Sequence, residues 1–500
     1  MMNGHGKSDR PKVPAKFANK DEAANTSAER DGGKGADQGK HGRQNTQRTQ
    51  CRGQQRMSSE DSVQSALDRV REIAKSDKKV QFTNLLHHIS NVERLRAAYF
   101  LMKKAAAAGI DGETWASYGE NLEENLQSLS ERLQKGGYRA KPVRRVFIAK
   151  ADGKQRPLGV PVLEDKIVQR SAVEVLSAIY ETDFLDFSYG YRPGKGQHHC
   201  LDALYGELFG KVNWVLDADI RGFFDHLNHD WLIKFIEHRI KDKRVIRLIQ
   251  KWLKAGVMLD GRREETEEGV PQGGSISPLL ANVYLHYVLD LWARQRRNDK
   301  SRGEMFIVRW ADDFVVGFQH QSQAEGFLAD LKERMLKFSL ELHPEKTRIL
   351  EFGRFAINNR KRRGLRKPET FNFLGFTHIC GNISQGSKMF TVRRHTIAKK
   401  MRAKLLEVKT ELRRRLHQPI PEQGKWLKSV VDGHCRYYGV PTNLQQLTAF
   451  RYQVSRLWFR TLRRRSQKST LTWKRMKRFT DCWLPHVRIH HPFPSKRSRV

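Results

Sequence analysis

Residues 305–318 read Met305-Phe-Ile-Val-Arg-Trp-Ala-Asp-Asp-Phe-Val-Val-Gly-Phe318. Two apolar runs, β-branched and aromatic, flank a pair of adjacent aspartates, the pattern of two buried strands joined by a tight turn with both acids at its tip. Adjacent acids in a solvated loop are commonplace. Here the flanks are apolar enough to be core, so the carboxylates are expected at a strand junction, where desolvation and mutual repulsion cost free energy unless cations compensate. A second segment, Trp214-Val-Leu-Asp-Ala-Asp-Ile-Arg-Gly-Phe-Phe-Asp225, has the same form, an apolar strand running into acids. Brought together, Asp219, Asp312 and Asp313 would make a hard-oxygen set for two Mg²⁺ ions about 3.5–4 Å apart, an arrangement that activates a hydroxyl nucleophile and stabilises a leaving pyrophosphate.

Outward from these segments, between about residues 140 and 355, β-type runs (143–148, 212–216, 305–310, 314–318) alternate with helical ones such as 165–180 and 278–294. That alternation predicts an α+β core. Upstream, Val63, Leu67, Val70 and Ile73/Ala74 recur at helical spacing behind Ser62, and a second helical run is expected from Val92 through Ala108. Residues 1–60 are rich in Gly, Gln, Asn, Ser and Lys and read as a disordered basic arm. After about 391, Ile397, Met401, Leu405, Val408, Leu412 and Leu416 mark one apolar helix face, which predicts a separate helical domain.

Charge narrows the partner. The chain carries 93 Lys and Arg against 55 Asp and Glu, a net +38. Between residues 391 and 500, 28 Lys and Arg face 5 Asp and Glu, so 23 of those 38 charges fall in about a fifth of the chain. Solvated faces generally mix signs, whereas here Arg463, Arg464, Arg465, Lys468, Lys474, Arg475, Lys477 and Arg478 interleave with Trp458, Phe459, Trp473 and Phe479. A polyanion fits, with phosphates gripped by cations and bases stacked on rings. No stretch is apolar enough for a membrane helix. The five cysteines (Cys51, Cys200, Cys380, Cys435, Cys482) are odd in number and widely spaced, which predicts free thiols in a reducing, cytoplasmic setting rather than a disulfide framework or a zinc knuckle.

Several ordered motifs resemble those of group II intron-encoded reverse transcriptases and maturases, over nearly everything after residue 60. Ala107-Ala-Gly-Ile-Asp-Gly-Glu-Thr-Trp115 resembles their N-terminal extension, Arg144-Arg-Val-Phe-Ile-Ala-Lys-Ala-Asp-Gly-Lys-Gln-Arg-Pro-Leu-Gly159 their fingers hairpin, and Ser188-Tyr-Gly-Tyr-Arg-Pro-Gly194 the segment that follows it. Gly269-Val-Pro-Gln-Gly-Gly-Ser-Ile-Ser-Pro-Leu279 resembles the motif lying against the nascent base pair. On physical grounds alone, Gly273 and Gly274 permit close backbone approach there, and Ser277 before Pro278 reads as a helix N-cap. Leu342-His-Pro-Glu-Lys-Thr347 and Phe371-Asn-Phe-Leu-Gly-Phe376 resemble the pyrophosphate-proximal and primer-grip motifs, and Gly433-His-Cys-Arg-Tyr-Tyr-Gly439 the thumb, although Tyr437 and Tyr438 read equally well as core.

The resemblance implies a right-hand polymerase: fingers and palm over 61–385, a helical basic thumb or maturase domain over 386–485 and a basic tail over 486–500. It makes Asp219, Asp312 and Asp313 the metal-binding acids, with the Ile220 carbonyl as a further ligand, and leaves Asp217 and Asp225 as bystanders. Phe224 matches the ring that excludes a ribose 2′-hydroxyl, Lys150 and Arg156 the cations on the triphosphate, Gln272 a nucleotide or template contact, and Lys346 a general acid for pyrophosphate. Arg463, Arg464, Arg465, Lys468, Lys474 and Arg475 are the RNA-binding candidates. The implied partners are the host intron RNA, an RNA template with a DNA primer and target DNA, and dNTPs; the choice between a monomer and a homodimer is left open by the sequence. Trp310 departs from the tyrosine usual before Ala-Asp-Asp, and no metal-knuckle spacing follows Arg478, so no DNA-strand cleavage is expected. Two rival readings remain: an RNA splicing cofactor with an inactive polymerase site, and an intron-free relative used in defence.

Overall fold

The computed structural model describes residues 64–149, 155–259, 262–264, 268–299, 303–382 and 389–494. The proposed N-terminal arm, Lys150 and the last residues of the basic tail lie outside this set.

A helical layer comes first: α1 (64–76), α2 (Leu86–Ile89), α3 (Val92–Phe100), α4 (Trp115–Glu120) and α5 (Leu122–Gln134). Asn91 caps α3 by accepting from the Arg94 amide, and Thr114 with Ser117 forms a reciprocal capping box on α4. The helix expected from Val92 to Ala108 ends at Phe100. Beyond it Lys166 Nζ donates to the Ala107 carbonyl at 2.8 Å and the Arg144 guanidinium to the Ala108 carbonyl at 2.8 Å. Cations from distant elements thus take carbonyls that a helix would have used, and tertiary contacts outweigh alanine's propensity.

Next come β1 (Val143–Ala149), β2 (Gln155–Val160), α6 (Leu163–Asp183), α7 (Gln197–Glu207), β3 (Trp214–Asp219), α8 (His229–Glu237), α9 (Lys243–Leu253), β4 (Val257–Leu259) and β5 (Arg262–Glu264). One sheet runs β2-β1-β4-β5, with β1 and β2 an antiparallel hairpin pairing Ile148 with Arg156. A long helical rod follows, α10 (Ser277–Leu285) and α11 (Leu291–Asn298) joined by a π-helical turn over His286–Asp290. Ser277 is not the N-cap: Ile276 holds that position, and the Ser277 hydroxyl donates instead to the Pro271 carbonyl at 2.9 Å.

The central sheet is β6-β7-β3-β8, built from β6 (Met305–Trp310), β7 (Asp313–Phe318), β3 and β8 (Arg348–Glu351), with α12 (Gln321–Lys337) packed on one face. Leu216, Ala218, Ile307, Phe314 and Val316 bury into a core shared with the N-terminal helices, α6 and α10. Their strand neighbours Val215, Phe306, Val308, Val315 and Leu350 bury into a second core on the opposite face, beneath α7. A sheet covered on both sides explains apolar runs with no polar alternation.

After α13 (Ala356–Arg362), a third sheet of β9 (Phe371–Phe373), β10 (Phe376–Asn382) and β11 (Phe390–Thr396) closes over the second core. Strand β11 carries the chain past residue 391, and the all-helical region begins with α14 (Ala398–Arg414), followed by α15 (Ile420–Tyr438), α16 (Leu444–Arg463) and α17 (Trp473–Trp483). These helices share a third core around fully buried Trp458, whose indole donates to Gln423 Oε1 at 2.8 Å. The segment after α17 doubles back: the His490 and His491 amides both donate to the Gly439 carbonyl at 2.9 Å, and the His491 ring stacks on His198 of α7 at 3.5 Å. Among the described residues no helix is long and apolar enough to cross a membrane, and Cys200, Cys380, Cys435 and Cys482 are free thiols.

Candidate active site

Strands β6 and β7 pair from Met305 with Phe318 to Trp310 with Asp313, leaving Ala311 and Asp312 as the connecting turn. Ala311 adopts a left-handed φ of +56°, which costs a non-glycine residue free energy. Two contacts hold it there. A Cβ at Gly190 would lie 2.3 Å from the Ala311 nitrogen, so a glycine must face the turn, and Arg309 Nη1 donates to the Ala311 carbonyl at 2.9 Å.

That guanidinium is fully buried, and each of its five N–H groups has an acceptor. Nε and Nη2 grip the Asp290 carboxylate at 2.7 and 2.5 Å, Nη1 also reaches Asn282 Oδ1 at 3.1 Å, and Nη2 reaches Ser188 Oγ at 2.7 Å. Asn282 in turn donates to the Gly190 carbonyl at 2.8 Å. The acid-bearing turn is therefore fastened from behind to α10, the π-helical turn and the 188–190 loop. Sequence reasoning passed over this network; its one signal is an arginine inside an otherwise apolar strand.

Strand β3 delivers the third acid, since Asp219 stands directly across from Asp313. Ile220 bridges to Leu342, the His343 amide donates to the Asp219 carbonyl at 2.8 Å, and these contacts bring Lys346 into an ion pair with Asp219 Oδ2. Burial raises the carboxyl pKa of Asp312 and holds that of Asp313 well above the ordinary range, with neighbouring acids adding to both. Burial likewise pushes Asp217 up to about 6, although Arg348 stands 3.9 Å away. Among the described residues no three His, Cys, Asp or Glu side chains already converge to ligation distance. The donor set nonetheless suits a divalent cation: hard carboxylate oxygens share one sheet end, the charged forms of Asp312 and Asp313 are both opposed by Asp219, and the Lys346 ammonium is paired with that third acid.

The nucleotide-site candidates gather beside these acids. Val270 donates its amide to the Phe224 carbonyl and Gly159 donates its amide to the Gln272 carbonyl, both at 2.7 Å, so residues 269–272 are zipped between the turn after β3 and the β1–β2 hairpin. Gly273, at φ +125°, passes so close to β2 that a Cβ would lie 2.4 Å from the Gly159 carbonyl oxygen. Arg156 Nε donates to Gln272 Oε1 at 2.7 Å, and Gln272 Nε2 to Asp225 Oδ1 at 3.2 Å. Asp225, read from sequence as a bystander, is therefore engaged with Gln272 directly and with Arg156 through the Gln272 amide. Phe224 is 7% exposed, its ring edge-on to Phe223. Tyr191, inside the 188–194 motif but given no role from sequence, is more than half exposed in a left-handed conformation of φ +61°; burial of its phenol raises its pKa, with the Asp312 charge adding to the rise and Arg156 opposing it.

At the end of α16, on α17 and in the turn between them, Arg463, Arg464, Lys468, Lys474 and Arg475 are exposed. Arg465 is half-buried and donates to the Gln418 carbonyl, so its guanidinium serves the fold. Of the interleaved aromatics, Trp458 is core, and Trp473, 47% exposed and stacked on Phe459 at 4.2 Å, is the ring that faces solvent.

Residues 148–378 match the family model described as reverse transcriptase (RNA-dependent DNA polymerase), a span that contains Asp219, Asp312, Asp313 and Lys346. Protein YkfC of Escherichia coli K12 is 35% identical over 314 residues, 55% of this chain and 81% of the relative. The group II intron-encoded protein LtrA of Lactococcus lactis is 27% identical over 501 aligned positions, 83% of this chain and 80% of the relative. The chain belongs to the group II intron-encoded reverse transcriptase and maturase family. The likeness reaches organellar proteins too, with 26% identity over 199 residues to nuclear intron maturase 3 of Arabidopsis thaliana mitochondria, 36% of this chain and 27% of that one. This reverse transcriptase and maturase therefore has a function tied to group II intron splicing and mobility, and reverse transcriptases of its type generally use Mg²⁺.

Proposed function

We propose that the chain is a right-hand RNA-directed DNA polymerase that also binds its host intron RNA as a maturase, with the β6-β7-β3-β8 sheet as palm, the β1–β2 hairpin as fingers and α14–α17 as thumb. The observation that carries the reading is the convergence of Asp219, Asp312 and Asp313 on one sheet end, with Lys346, Arg156, Gln272 and Phe224 around them. The three carboxylates and the Ile220 carbonyl would hold two Mg²⁺ ions, which, when bound, favour the alkoxide of a 3′-hydroxyl and offset charge on the leaving pyrophosphate.

The chain's own groups do the rest. The primer 3′-oxygen attacks the α-phosphorus as the bond to the bridging oxygen of pyrophosphate breaks. Arg156 binds the triphosphate as a planar, permanently charged donor. Lys346 Nζ carries the proton that neutralises the departing pyrophosphate oxygen. Phe224 closes the ribose pocket with an apolar ring that offers a 2′-hydroxyl neither room nor a partner. Trp310, packed against the second core, keeps an aromatic wall behind the turn. The maturase role asks for binding free energy alone, since the RNA performs the splicing chemistry. Exposed cations on α16 and α17 would supply it through phosphate contacts.

Primer extension on an RNA template with dNTPs and Mg²⁺, comparing wild type with Asp312→Asn at equal template occupancy, tests the reading. Product from wild type alone is expected. No product from either despite tight RNA binding would move the function to a non-polymerising splicing cofactor.

A further inference from the structure

Asp225 is exposed, outside the carboxylate group at the sheet end, and has no cationic partner of its own among the described residues. Its carboxylate accepts the Gln272 amide nitrogen at 3.2 Å, and an amide that donates on one side must present its carbonyl oxygen on the other. That oxygen accepts from Arg156 Nε at 2.7 Å. Turned the other way, the amide would set carbonyl against carboxylate and NH₂ against guanidinium, two repulsive contacts in place of two attractive ones. Asp225 thus decides which way the amide stands.

The backbone leaves little else to decide. Residue 272 is pinned to the hairpin by the Gly159 amide, residue 270 to the Phe224 carbonyl, and Gly269 to the Leu227 carbonyl at 2.8 Å. Both side-chain bonds lie in solvent, where a hydrogen bond adds little to folding, so the arrangement has a small effect on stability and a large one on orientation. Among the described residues no partner occupies Arg156 Nη1 or Nη2, and the relay leaves that edge of the guanidinium open to anionic oxygens.

We propose that Asp225 is a positioning residue of the nucleotide site: it orients the Gln272 amide, which holds Arg156 with its Nη edge facing an incoming nucleoside triphosphate. The inference rests on the polymerase reading above. Asp225 touches no reacting atom; its effect passes through two other side chains from palm to fingers.

Single-nucleotide primer extension with purified full-length chain tests it, using Asp225→Leu, Asp225→Asn, Gln272→Leu and the Asp225→Leu/Gln272→Leu double variant. Asp225→Leu is expected to raise the dNTP KM about three- to tenfold with kcat within about twofold, the loss of one orienting hydrogen bond. Asp225→Asn keeps an acceptor oxygen and should stay near wild type. In the Gln272→Leu background, Asp225→Leu should add nothing further. An unchanged KM in Asp225→Leu, an Asp225→Asn as impaired as Asp225→Leu, or fully additive effects would each overturn the relay. A wild type that binds template and primer yet extends nothing would overturn the polymerase reading itself, a result none of the variants alone can produce.

Discussion

Replacing Arg309 by methionine removes all five donors of a guanidinium that is 0% exposed while leaving the hydrocarbon volume largely filled. Asp290, also 0% exposed, then keeps a buried carboxylate without its cation, and Asn282 Oδ1, Ser188 Oγ and the Ala311 carbonyl each lose a donor. Breaking one side of a buried pair costs about 3–5 kcal/mol, and three stranded neutral acceptors place this case toward the upper end. A urea melt should show that loss. Removing both charges, as Arg309→Met with Asp290→Leu, should recover most of the stability, because apolar replacement of a whole buried pair is often neutral. It should not recover primer extension, since the Ala311 carbonyl stays unheld and the left-handed turn before Asp312 loses its clamp. A single variant within about 1 kcal/mol of wild type would refute the energetic argument. A double variant that regains activity along with stability would show that the network supports the fold without placing the acids.

Other expectations concern separate parts of the molecule. Asp312→Asn should abolish cDNA synthesis while leaving RNA-assisted splicing intact, measured by splicing of the host intron at equal protein. Phe224→Ala should raise rNTP incorporation relative to dNTP by about tenfold or more, read from paired single-nucleotide extensions; unchanged sugar selectivity would remove the gate. Charge reversal at Arg463 and Arg464, both exposed, should weaken RNA binding and make the dependence of log K on log salt shallower by about two, whereas a steady slope would place the RNA site elsewhere. Burial, aided by Arg394, lowers the His378 pKa to about 3, so the unfolded chain takes up this proton first as pH drops below 6.5. The stability contributed by the neutral ring is therefore complete above that pH and lost on acidification, by about 2 kcal/mol at pH 5, and His378→Phe should flatten the pH profile by that amount in urea melts at both pH values.

The β6–β7 hairpin was legible because its two apolar runs and its acids name both the strands and the turn. The apolar face of α14 was legible because its side chains recur at helical spacing. What the sequence concealed depends on partners outside the local helical or strand pattern, most of them far apart in the chain. The helix after Val92 stops early because Lys166 and Arg144 claim carbonyls near 107 and 108, and Ser277 leaves the cap for a carbonyl six residues upstream. Asp225 passes for a bystander until Gln272, 47 residues on, reaches it, and Arg465 counts as one more cation until Gln418 is seen to accept from it. Composition gives an excess of positive charge but not which cations are spent on the fold.

The π-helical turn at His286–Asp290 carries one residue more per turn than the helices on either side. Deleting one residue of this turn ahead of Asp290 would restore a continuous α-helix and rotate Asp290 by about 100° around the rod. Arg309 would then face a side of the helix with no carboxylate, although Asp219, Asp312 and Asp313 all remained in the sequence. A chain shortened by that one residue would keep every motif quoted above and lose the carboxylate that fastens the Ala-Asp-Asp turn from behind.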